Sequence, residues 1–97
     1  MLARVSRYEI EPERCDEAVE AFLSAGKGIA GLDGFHSGFV LVDAETGAVA
    51  TVTLWEDEQA FEAGATRAVA ARREAIGSVD GDVVSVQTFD VVRELEP

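Results

Sequence analysis

A few side chains in this chain could do chemistry together. His36 is the only histidine in 97 residues. It is also the one side chain whose ordinary pKa lies near neutrality, so it is the candidate proton acceptor. Arg72 and Arg73 are adjacent on a segment with helical apolar spacing. Arg72 lies nearer the apolar stripe, and a guanidinium turned inward from either position would suit a phenolate or carboxylate. Trp55 closes an extended run and offers a flat face that could orient an aromatic ring. Ser6, Tyr8 and Thr51 would add hydroxyls to the same space. Each of these residues also has an ordinary structural use: a tryptophan anchors a core, a helix arginine is solvated, a lone histidine packs. The chemistry therefore depends on which elements bring them together.

Those elements follow from period. Leu2 to Ile10 alternates, with Ala3 and Val5 on one side and Arg4, Ser6 and Tyr8 on the other, which predicts a strand with one face in the core; the second face is polar but not strongly charged, which suits a cavity wall as well as solvent. Glu11-Pro12-Glu13 opens a helix, since proline fits the first turn and acids complement the positive end of the dipole. Cys15, Ala18, Val19, Phe22 and Leu23 form its apolar stripe, and it ends between Ala25 and Ala30. Phe35 to Val42 is a second strand, with His36, Gly38, Val40 and Val42 sharing a row. Asp43 to Gly47 has hairpin chemistry, and Ala48 to Trp55 returns as the third strand. Glu56 or Asp57 caps a second helix that carries Phe61, Ala65, Ala68, Val69, Arg72 and Ile76 and stops at Gly77. Val83 to Val92 is the fourth strand.

The order is β-α-β-β-α-β over one domain, residues 1–97. Right-handed crossovers then give a ferredoxin-like α+β fold: a four-stranded antiparallel sheet with two helices on one face. Val40, Val42, Trp55 and a row of the fourth strand are read as the uncovered face, too apolar to leave wet. A second copy of the chain would cover it, forming a homodimer through the sheet faces. In that arrangement, a dimeric α+β barrel, the ligand space lies between the two sheets, because a chain this small leaves little room for a cavity of its own.

Composition excludes several functions. Nineteen acids against eight bases give a net charge of −11. That sign opposes nucleic acids and anionic membranes. No apolar run is long enough to span a bilayer, and the first ten residues do not read as a signal peptide, so a cytoplasmic location is expected. One cysteine, Cys15, provides neither a disulfide nor a metal cluster.

Gly34-Phe35 opening the second strand, Leu54-Trp55-Glu56-Asp57-Glu58-Gln59-Ala60-Phe61 at the strand–helix junction, and Arg73-Glu74-Ala75-Ile76 resemble the antibiotic biosynthesis monooxygenase-like family of the dimeric α+β barrel superfamily. The resemblance implies a cofactor-independent monooxygenase that oxidises a phenolic or quinol small molecule, with no bound cofactor. It places the family tryptophan at Trp55 and the family helix arginine at Arg73. The family asparagine falls at Thr51 and the family tyrosine at Phe61, so a hydroxyl acid–base group is replaced by a bare ring. The expected site is therefore His36, Arg73 and Trp55 for catalysis, with Ser6, Tyr8, Thr51, Phe61 and Arg72 around the substrate. The alternative is a non-catalytic dimer that binds a small aromatic ligand or serves as an accessory protein. The haem-degrading branch of the family uses Asn, Trp and His at places that fall on Ser6, Gly64 and Glu74, which argues against haem.

Overall fold

A computed structural model describes all of residues 1–97. Strand β1 (Leu2–Glu9) leads through a 3₁₀ turn at Pro12–Arg14 into helix α1 (Cys15–Ala30). Strands β2 (Phe35–Asp43) and β3 (Ala48–Trp55) follow as a hairpin, then α2 (Glu58–Ala63), α3 (Ala65–Ser78) and β4 (Asp82–Asp90). The strands form one antiparallel sheet in the order β2-β3-β1-β4. This is the ferredoxin-like α+β arrangement that the sequence pattern predicts.

Local chemistry explains the joints. Pro12 sits at the start of the first turn, and Arg14 then bridges Glu17, Asp80 and the carbonyl of Ser78 at 3.0, 3.1 and 3.2 Å. It ties the start of α1 to the turn after α3. In the hairpin, Gly47 has φ +82, and a Cβ there would collide with the Ile10 carbonyl, so only glycine fits. Asp57, not Glu56, caps α2: its Oδ1 accepts from the Ala60 amide at 2.8 Å.

The second helix is two helices, broken at Gly64. Trp55 sits at this break. The missing side chain at Gly64 leaves room for the indole, which would otherwise clash with a Cβ at 2.6 Å. Gly77 does not end α3, which continues to Ser78; α1 likewise runs through Gly26 and Gly28 to Ala30.

Residues paired across strands share a face, and this register reverses the expected faces of the sheet. Arg4, Ser6 and Tyr8 pair with Thr53, Thr51 and Val49, and this row lies under the helices, where Tyr8 packs on Phe22 with ring centroids 4.8 Å apart. Trp55 lies on the same covered side, fully buried against Ile29 and Ala68, and Val40 packs there too. Val5, Val52, Phe39 and Leu41 occupy the open face instead, with Phe39 54% and Leu41 53% exposed. Of the two uses the polar row allows, cavity wall or solvent face, the structure has the first: its hydroxyls and guanidinium do not pack into a dry core. They line a space.

That space divides the interior in two. One core gathers Tyr8, Ile10, Phe22, Val49, Ile76 and Val79. A smaller one gathers Ile29, Trp55 and Ala68, with Phe35 and Phe61 packed against it.

Candidate functional site

Between the two cores lies a cavity of about 320 Å³ inside a single chain. This corrects the expectation that one subunit could not enclose a ligand space and that the space would lie between two sheets. The helices stand off the sheet where its floor is built from Arg4, Ser6, Thr51 and Thr53 rather than from bulky apolar groups. Phe22, Ile29, Ala68 and Ala71 form apolar walls. Leu23, 52% exposed, and Lys27 border it on α1.

The electrostatics of the lining have one sign. Arg4, Lys27 and Arg72 are cationic, and no Asp or Glu lines the cavity, although the chain as a whole carries −11. Arg4 is only 9% exposed. Its guanidinium lies over the Phe61 ring, 4.2 Å from the centroid, a cation–π contact. Its Nη1 is buried without a hydrogen-bond partner. Burial, and then repulsion from Arg72, holds the Arg4 pKa below the ordinary arginine value, with Tyr8 opposing the shift. The Tyr8 hydroxyl meets Thr51 Oγ1 at 3.4 Å. Trp55 Nε1 donates to Thr53 Oγ1 at 3.0 Å.

The expected site residues divide accordingly. Ser6, Tyr8, Thr51 and Arg72 all line the cavity. Phe61 lies beneath Arg4 rather than on the lining. Trp55 is off the lining, buried behind Ile29 and Ala68; it stands edge-on to Phe35 with ring centroids 5.4 Å apart and bonds Thr53, which does line the cavity. His36 is not on the cavity row. A bulge between Phe35 and Ser37 makes it the extra residue of β2, so it points away, exposed, with its Nδ1 against Ser37 Oγ at 3.1 Å. Arg73 is exposed and outside the lining; Arg72, one position earlier, is the arginine that turns in. Sequence reasoning missed Arg4, Thr53 and Lys27. For Arg4 a signal was present: an arginine in mid-strand on a row that otherwise carries only neutral hydroxyl groups.

These features define a class: an α+β sandwich whose sheet and helices enclose a small, apolar, positively charged pocket within one chain. Residues 1–75 match the antibiotic biosynthesis monooxygenase family, and the chain belongs to that family. No curated protein matches the sequence. Among solved structures, a candidate antibiotic biosynthesis monooxygenase from Deinococcus radiodurans superposes with TM-score 0.78 at 13% identity, over 100% of this chain and 98% of that one. SnoaB, a cofactor-independent oxygenase from Streptomyces nogalater, gives 0.71 at 17%, over 99% and 97%. MhuD, a haem degrader from Mycobacterium tuberculosis, gives 0.73 at 20%, over 99% and 100%. At these identities the likeness is one of fold.

Proposed function

We propose that this protein is a cofactor-independent monooxygenase that oxidises a phenolic or quinol small molecule in the cavity on the helix side of its sheet. The observation that carries this reading is the pairing of apolar walls with two inward guanidiniums, Arg4 and Arg72, and no acid. A flat aromatic ring fits such walls, and cations in a desolvated site stabilise the oxyanion from which oxygen takes electrons. In the overall reaction a ring CH₂ and O₂ become C=O and H₂O. Carbon is oxidised, and one oxygen atom leaves as water with the two hydrogens. Ser6, Tyr8 and Thr51 orient the substrate oxygens. Arg72 takes the role expected of Arg73. Trp55 acts by fixing the Thr53 hydroxyl rather than by touching the ring. SnoaB supports this reading by likeness of fold.

MhuD raises haem as an alternative, and the lining does not fit it. No histidine, cysteine or methionine borders the cavity, and Tyr8, the remaining side chain able to hold iron, faces Thr51. No step is routed through iron.

The open sheet face, with Phe39, Leu41 and Phe89 exposed, supports the second part of the proposal, a homodimer joined through that face. No helix is long and apolar enough to cross a membrane.

The test is oxygen uptake with an anthrone-type substrate and no added metal or flavin. Stoichiometric quinone formation, lost in Arg72→Gln, is the expected result. No turnover across a panel of phenols and anthrones overturns the oxygenase reading. The alternative, a ligand-binding protein without chemistry, is favoured by one observation: no histidine or carboxylate reaches the cavity to take a proton. Thermal stabilisation by a ligand that is never converted would select it.

A further inference from the structure

We propose that Arg4 is an anion-recognition residue, and that the cavity takes its ligand as a preformed oxyanion on a flat aromatic body. This rests on the cavity being a ligand site and not on the oxygen chemistry.

Burying a guanidinium is unfavourable unless it is paired, and Arg4 is paired with no acid. Its cross-strand neighbours are Thr53 on β3 and Thr88 on β4. Arg72 repels it. The face of Phe61 attracts the cation, but a ring face does not satisfy the in-plane N–H donors, and Nη1 stays without a partner. An anion entering the cavity supplies both the missing charge and the missing acceptor. A carboxylate or phenolate oxygen meets the geometry of the fork. The apolar walls and the volume of about 320 Å³, within the range of small-molecule pockets, suit a small flat aromatic body. The lack of a proton acceptor on the lining fits the same scheme, since a ligand that arrives ionised needs none.

The experiment measures binding of two matched pairs by calorimetry: 2-naphthoate against 2-naphthalenemethanol, and 4-nitrophenolate against 4-nitroanisole. The expected result is that at least one anion binds about tenfold or more tightly than its neutral counterpart, the scale of a charge-assisted hydrogen bond. The pair that shows the preference tells carboxylate from phenolate. Arg4→Met, which keeps the stem and removes the charge, cuts the preference several-fold, to what Arg72 and Lys27 supply, while the free protein melts no lower than the parent. Equal binding of anion and neutral partner in both pairs overturns the proposal, as does a preference that Arg4→Met leaves unchanged. A second readout uses the unmodified protein. Bound 4-nitrophenol should ionise at lower pH than free 4-nitrophenol, read by its visible absorbance, and an unchanged midpoint overturns the phenolate arm. Anion preference without oxygen uptake leaves this site standing and removes the oxygenase. Turnover of a phenol with no preference in either pair does the reverse.

Discussion

The indole of Trp55 fills the space that a side chain at residue 64 would need: a Cβ on Gly64 would lie 2.6 Å from Cη2 and 2.9 Å from Cζ3. The glycine and the placement of the tryptophan are therefore one feature. Gly64→Ala is expected to destabilise the protein by about 1–3 kcal/mol through overpacking, measured by urea unfolding. Trp55→Phe in the Gly64→Ala background should recover part of that loss, so the two changes are non-additive.

Asp57 is the N-cap of α2, with its carboxylate on the Ala60 amide. Asp57→Ala should cost about 1 kcal/mol. Glu56→Ala, although it removes the neighbouring acid, should cost much less. A comparison of denaturation midpoints for the two variants checks the assignment.

Arg4 has a pKa below that of the unfolded chain, through burial first and Arg72 second. The unfolded state then holds the proton more tightly, so the charged side chain weakens the fold at every pH where it stays protonated. That weakening lifts only at strongly alkaline pH, as the proton is lost. At neutral pH Arg4→Met should therefore leave the free protein as stable or raise its stability by about 1–2 kcal/mol, the range seen when apolar groups replace buried ions. A large drop in the unfolding free energy would show that the guanidinium is a structural tie.

His36 and Arg73 stand outside the cavity. His36→Ala and Arg73→Ala should leave ligand affinity and any turnover unchanged, whereas Arg72→Gln should weaken both. Loss of function in His36→Ala, measured by oxygen uptake and calorimetry side by side, would return the proton-acceptor role to it.

Leu41 and Phe39 are half exposed on the open face of the sheet. Leu41→Arg should shift a dimer toward monomer in light scattering without disturbing the far-ultraviolet spectrum. A parent protein that is already monomeric at micromolar concentration would remove the dimer from the proposal.

The order of elements was legible because alternation and helical spacing are strong signals over segments this long. The sides of the sheet were not. A row holding Arg4, Ser6 and Tyr8 looks like a solvent face, and the rule of apolar inside and polar outside fails where a polar row floors a cavity. In β2 the rows Ser37, Phe39, Leu41 and Gly38, Val40, Val42 hold, and only the start of the strand departs. One extra residue at His36 puts Phe35 on the row of Gly38 and takes His36 off it, and nothing in Phe35-His36-Ser37 announces the bulge. The need for glycine at residue 64 depends on a tryptophan nine positions earlier, which helical periodicity cannot see. Four of the five expected substrate contacts reached the cavity: the β1–β3 register keeps Ser6, Tyr8 and Thr51 on one face whichever side of the sheet is covered, and Arg72 joins them because the helices pack on that face.

Splitting the packed interior into two halves has a consequence for how such a protein can change. Ser6, Thr51 and Thr53 hang on the backbone ladder between β1 and β3; Thr51 and Thr53 also serve Tyr8 and Trp55 as hydrogen-bond partners, whereas the Ser6 hydroxyl ties to neither greasy half. Exchanging Ser6 for another small group would reshape the chamber while the scaffold on either flank stays intact. Selectivity could then drift from one guest molecule to another by single substitutions, with little penalty in folding.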